Sequence, residues 1–103
     1  MKGFDHTIHQ PVRLRIMSSL SILEGDQSVD FWYLKKLLNL TDGNLCSHLE
    51  KLERVGYLEV NKTSVGKKPK TYLKMTLAGR AAYQAHRKAL EDLLRDPGDA
   101  SKE

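Results

Sequence analysis

Leu37-Leu38-Asn39-Leu40-Thr41-Asp42-Gly43-Asn44-Leu45 is the stretch on which the fold turns. Asn39 tolerates a left-handed backbone and suits the end of a helix. Thr41 suits the start of the next, its hydroxyl accepting from the N–H groups of a first helical turn. Only Leu40 separates the two. Helices joined so tightly must cross steeply, which is the helix-turn-helix arrangement. After the turn, Leu45, Leu49, Leu52 and Val55 recur at spacings of four, three and three, one apolar stripe of a helix over 42–54 that Gly56 ends. Before it, Asp30 caps a helix whose buried face is Phe31, Leu34, Leu37 and Leu38.

Working outward, Pro11 opens a helix over about 10–24, with Val12, Ile16, Leu20 and Leu23 as its stripe, Met17 widening it and Gly25 stopping it. Val29 adds a single strand residue. Tyr57-Leu58-Glu59-Val60 and Thr71 to Met75 read as antiparallel partners around a polar hairpin tip over 61–70, a wing. Thr76 caps a last helix over 76–94, with alanines at 78, 81, 82, 85 and 89 and larger apolar groups at Leu77, Leu90, Leu93 and Leu94. Asp96-Pro97-Gly98-Asp99 breaks it. The expected organisation is one mainly α domain over 1–95 with a small antiparallel β-hairpin, a winged helix-turn-helix, and a disordered tail over 96–103.

Composition narrows the function. The 103 residues, 40% apolar and 29% charged, suit one modest core. No apolar run reaches membrane-spanning length, and the N-terminus has no signal-peptide stretch, so cytoplasmic residence is expected. A single cysteine, Cys46, excludes an internal disulfide and a multi-thiolate zinc site. The net charge is +4, and residues 61–74 carry Lys62, Lys67, Lys68, Lys70 and Lys74 with no acid among them. The positive excess therefore sits on the wing, as a polyanion contact requires.

These elements in this order resemble the winged-helix transcriptional regulators of bacteria and archaea. Pro11-Val12-Arg13-Leu14-Arg15-Ile16 resembles the opening of their first helix. Leu40-Thr41-Asp42-Gly43-Asn44-Leu45 followed by His48-Leu49-Glu50-Lys51-Leu52-Glu53 resembles their recognition helix. Gly56-Tyr57-Leu58 resembles the step into the wing, and Leu77-Ala78-Gly79-Arg80 the start of the closing helix. The similarity spans roughly 9–92 and is greatest to a small stand-alone family related to the MarR and ArsR regulators. Cys46 departs from the serine or threonine expected there. The resemblance implies sequence-specific binding of double-stranded DNA as a regulator, a repressor, and a homodimer built from terminal elements.

On the recognition helix the outward residues are Asp42, Gly43, Asn44, Ser47, His48 and Lys51, after the cap Thr41. Asn44 can pair bidentately with adenine and Asp42 can accept from cytosine N4. Gly43 leaves room for close approach, and Ser47 and His48 can reach a base edge or a phosphate. On the wing, Lys62, Lys67, Lys68 and Lys70 would track phosphates, with Lys35 and Lys36 adding contacts from the preceding helix. One such helix reads few base pairs, so two symmetric half-sites are expected. The dimer surface predicted for that purpose comprises Phe4, Ile8, Ala82, Ala85, Ala89, Leu90 and Leu93.

Other readings make different demands. A redox sensor would use Cys46, near the first turn of the recognition helix. A metal sensor would draw on His6, His9, His48 and His86, which lack a carboxylate or thiolate at ligand spacing; no metal or cofactor is expected, and His86 reads as a surface or dimer-contact residue. No nucleophile–base pair or phosphate loop suggests an enzyme. A winged helix used for protein–protein assembly is the main rival, but it has no need of lysines on the wing.

Overall fold

A computed structural model describes residues 2–100 of the protein. In chain order the elements are α1 (His6–His9), α2 (Pro11–Ser21), β1 (Val29–Asp30), α3 (Phe31–Leu38), α4 (Asp42–Arg54), β2 (Leu58–Val65), β3 (Lys68–Met75), α5 (Leu77–Arg95) and α6 (Pro97–Ala100). This is a winged helix. Each longer helix starts on a side chain that accepts from its first turn. Gln10 receives the Arg13 N–H at 2.9 Å, Asp30 that of Trp32 at 2.8 Å, Thr41 that of Asn44 at 3.1 Å and Thr76 that of Gly79 at 2.9 Å. Asn39 closes α3 with φ 54°, the left-handed conformation its side chain tolerates.

The core is contiguous. Ile8, Ile16, Met17, Leu20, Leu45, Leu52 and Leu73 have no exposed surface, and Leu34, Leu38, Leu49, Leu58 and Met75 are nearly as deep. Two residues of the predicted stripes lie outside it. Leu37 is 54% exposed because α3 has only two turns, and Leu34 and Leu38, four apart, already use its inward face. Val55 is 44% exposed because the helix has ended there and the chain turns away. Pro97–Ala100 forms a helical turn where the composition suggests a tail, and 101–103 lie outside the described residues.

The sheet has three strands in the order β1-β3-β2, all antiparallel. Val29 and Asp30 pair with Leu73 and Tyr72, one residue more than the sequence reading assigns to that strand. The wing differs more. Pairing continues from Leu58↔Met75 out to Val65↔Lys68, so the polar stretch read as a hairpin tip is itself ribbon. Only Gly66-Lys67 forms the turn, with Gly66 at φ +64°, as a two-residue hairpin with glycine first requires. Beyond Val60 the ribbon buries little, so no hydrophobic alternation marks it in the sequence.

At the N-terminus, residues 2–9 fold back over α5 rather than forming an open arm. His86, expected at the surface, is fully buried. The Asp5 N–H donates to its Nδ1 at 2.9 Å, which leaves the neutral ring's proton on Nε2, facing His9 Nδ1 at 3.4 Å. Phe4 closes this cluster, its ring 4.7 Å from His86, 4.6 Å from His9 and 5.0 Å from His6. The Asp5 carboxylate receives the Ile8 N–H at 3.0 Å and the Tyr57 hydroxyl at 2.5 Å, joining α1 to the foot of the wing. That carboxylate, with burial, pushes the Tyr57 phenol up to about 12.

This arrangement gives stability a pH dependence. Burial, with His9 beside it, holds His86 below the usual histidine range. Below the ordinary value of about 6.5 the unfolded chain then binds a proton that the folded chain refuses, so stability falls with pH. His48 acts in the same direction. Urea midpoints measured from about pH 8 to about pH 5 should therefore decline in the wild type and decline less steeply in His86→Gln. Parallel curves would show that His86 does not carry the effect.

Candidate nucleic-acid interface

The apolar stripe of α4 fixes which way its other side chains point. With Leu45, Leu49 and Leu52 inward, the 100° step per residue puts Gly43 and Ser47 on the opposite side, flanked by Asn44 and Lys51. All four are exposed. Two other predicted contacts are engaged elsewhere. The Asp42 carboxylate lies 2.6 Å from Lys35 Nζ, tying α4 to α3 across the turn, so accepting from cytosine would compete with this pair. His48 is turned sideways and half buried, its Nδ1 3.2 Å from the Arg13 guanidinium. Burial, then that cation, lowers its pKa and favours the neutral ring. The Thr41 hydroxyl is occupied by capping.

The wing lysines are not one surface. Side chains alternate along a strand, and Leu58, Val60 and Leu73 define the inward side of the ribbon. By that register Lys62 points to the α4 side, Lys68 and Lys70 to the other, and Lys67 sits at the turn. Two of the five lysines in the acid-free run meet acids from another part of the chain. Lys70 pairs with Asp30 at 3.2 Å and Lys74 with Asp26 at 2.7 Å. Hydrogen bonding to Asp26 raises the Lys74 pKa, and the same contact lowers that of Asp26. Lys62, Lys67 and Lys68 have no such partner among the described residues.

Three features of this region went unread in the sequence. Arg13 braces α1 and α4, donating to the Thr7 carbonyl at 2.6 Å as well as to His48. Arg15 reaches the Leu38 carbonyl at 3.1 Å, satisfying the end of α3. Their alternation in Pro11–Ile16 was visible, but its target was not. Glu50 and Glu53, three residues apart on α4, flank the side that faces the wing.

The predicted dimer surface is divided. Ile8 has no exposed surface and Ala89 only 6%, so both serve their own core, and Ala82 packs against it too. The short α1 docks on α5 and buries Ile8 there, while of the five alanines of α5 only Ala89 is buried and Ala78, Ala81 and Ala85 stay exposed. Phe4 is half buried among the histidines. Ala85 is exposed, and Leu90 and Leu93 are half buried.

The sequence matches the winged helix DNA-binding domain family over residues 12–94, from α2 to the end of α5. The chain belongs to that family. An uncharacterized protein of Methanocaldococcus jannaschii is 45% identical over 73 residues, covering 71% of this chain and 76% of the relative. The fold is similar to a solved transcriptional regulator homologue of Pyrococcus horikoshii, at a TM-score of 0.80 and 30% identity over 91% of this chain and 90% of the other. In the winged-helix arrangement α4 is the second helix of the helix-turn-helix and the β2–β3 ribbon is the wing. The family is one of DNA-binding domains. Among the described residues no helix is long and apolar enough to cross a membrane, and no three ligating side chains converge as a metal site.

Proposed function

We propose that the protein is a transcriptional regulator that reads specific double-stranded DNA sites as a homodimer. The observation that carries this reading is the exposed Gly43–Asn44–Ser47–Lys51 face of α4 standing beside a ribbon whose Lys62, Lys67 and Lys68 have no acid partner among the described residues. A helix of this exposure enters the major groove with its N-terminal residues on base edges, and the wing supplies phosphate contacts that position it. Asn44 is the principal base reader, bidentate to adenine; Ser47 lies one turn further along and Lys51 two. Repression follows by occupancy, since a dimer spanning two half-sites about 34 Å apart obstructs whatever else must bind there.

Dimerisation is supported by the far end of α5. Its apolar stripe runs on through Leu90 and Leu93 to Leu94, which is 74% exposed. A second copy packed along this end would cover it. Sedimentation at micromolar concentration should give twice the 11.7 kDa chain mass, and Leu94→Glu should return it to the monomer.

Selection of binding sites from a random DNA library tests the whole reading. A two-fold symmetric motif is expected, and Asn44→Ala should relax preference at one position per half-site by about 1–3 kcal/mol. A second reading is favoured by one observation: Trp32, Tyr33 and Leu37 on α3 are 50%, 60% and 54% exposed. If no DNA is retained even at low salt, that apolar face makes a protein-interaction module the better account.

A further inference from the structure

Between the recognition helix and the wing lies a cleft of about 410 Å³ that DNA binding does not explain. Its origin is geometric. The inward face of the ribbon packs on the core as far as Val60 and Leu73, then continues as Lys62, Thr71 and Pro69 with nothing packed against it. Opposite stand Cys46, Glu50 and Glu53, spaced four and three apart and hence on one side of α4. Leu49, Val60, Phe31 and Trp32 supply the apolar surface. The volume is within the roughly 300–1,000 Å³ usual for small-molecule sites, and apolar walls with a few polar groups are their usual lining.

The charge of this cleft opposes that of its neighbours. Glu50 and Glu53 have no cationic partner among the described residues, and Lys62 is the one base in the lining. The nearby Lys35, 4.6 Å over the Trp32 ring, is already balanced by Asp42. These two carboxylates repel phosphate on the flank of a helix that must approach a polyanion. They attract an ammonium group, and the aromatic and aliphatic walls accept the hydrocarbon attached to it.

We infer that this cleft binds a small organic cation, an aryl- or alkyl-substituted ammonium, and that its occupancy opposes DNA binding. The ammonium lies against Glu50 and Glu53, and the apolar part between Trp32, Leu49 and Val60. A molecule there stands between the two elements that must straddle the DNA backbone together. By linkage, whatever it costs the DNA complex, DNA costs the ligand equally. The second half of the inference rests on the DNA-binding reading; the first does not.

Trp32 is the chain's single tryptophan and lines the cleft, so its emission reports occupancy without DNA present. Phenylbutylammonium, phenylbutanol and 5-phenylpentanoate share the phenylbutyl group and differ in charge. The cation should change Trp32 emission saturably and bind about tenfold more tightly than the other two, the scale of one carboxylate–ammonium contact at a protein surface. Glu50→Gln/Glu53→Gln, two exposed positions, should keep the fold by circular dichroism and bind all three alike. Equal binding to the wild type, or a preference that survives the double substitution, overturns the site. With labelled DNA that the free protein binds, saturating phenylbutylammonium should weaken the complex about tenfold relative to ammonium chloride of equal ionic strength. Undiminished DNA affinity with the cleft occupied overturns the antagonism.

Discussion

Gly79→Ala should unfold the protein at moderate temperature, although it adds a single methyl group. A Cβ at Gly79 would stand 2.1 Å from the Tyr57 carbonyl oxygen and 2.9 Å from its carbon, against backbone that has little freedom to retreat. That carbonyl already receives the Thr76 N–H at 3.1 Å, while the Thr76 hydroxyl donates to the Gly56 carbonyl at 2.6 Å and caps α5. The start of α5 is thus pinned to the foot of the wing at the one place where the two backbones nearly touch. Separating them would strain these bonds and pull Arg80 from the Ser21 and Leu23 carbonyls it holds at 3.1 and 2.9 Å. Overpacking at so confined a site costs about 3 kcal/mol or more. For a domain of this size the thermal midpoint should fall on the order of 15 °C. Ala81→Gly, at an exposed position two residues on, should cost only about 1 kcal/mol, by helix propensity. If Gly79→Ala melts no lower than that control, the close approach is not what fixes α5.

Removing Lys67 and Lys68 from the wing should have the largest effect on DNA affinity. Lys67→Ala/Lys68→Ala deletes two cations that have no acid partner among the described residues. Each lost phosphate contact should flatten the plot of log affinity against log salt by about 0.9, giving a change near 1.8 for the pair. At physiological salt the affinity should fall roughly tenfold to a hundredfold, with little change in which sequences are preferred. Lys70→Ala is the informative comparison, because Asp30 already holds that ammonium. Hydrogen bonding from the Trp32 N–H and, less strongly, Lys70 keeps the Asp30 carboxyl below its usual range, so the pair persists at neutral pH. Its slope should change by less than half of a full contact. An unchanged slope in the double variant would remove the wing from the interface.

Local chemistry was legible in the sequence wherever it acts within a few residues. Thr41, Asp30 and Thr76 cap the helices they were expected to cap, and Asn39 takes the left-handed turn, since a cap bonds the chain two or three positions away. The stripes Ile16–Leu20 and Leu45–Leu49–Leu52 gave the inward faces, and those faces brought α2 and α4 together. Periodicity failed at element ends, where Leu37 and Val55 have the right spacing but no neighbouring element to cover them. It failed also along the outer wing, where a backbone ladder needs no pattern of side chains.

The helix-turn-helix over 30–54 was therefore fixed by local bonding and apolar spacing. What that helix can touch was decided only by tertiary structure. Asp42 met Lys35, His48 met Arg13, and two wing lysines met Asp30 and Asp26 from segments more than thirty residues away in sequence. His86 and Ile8 became core because the N-terminal turn folded over α5. The acid-lined cleft likewise exists only once α4 and the ribbon diverge. Capping and amphipathicity act over one helical turn, whereas charge pairing and burial depend on which distant segments the packed chain brings within a few ångströms.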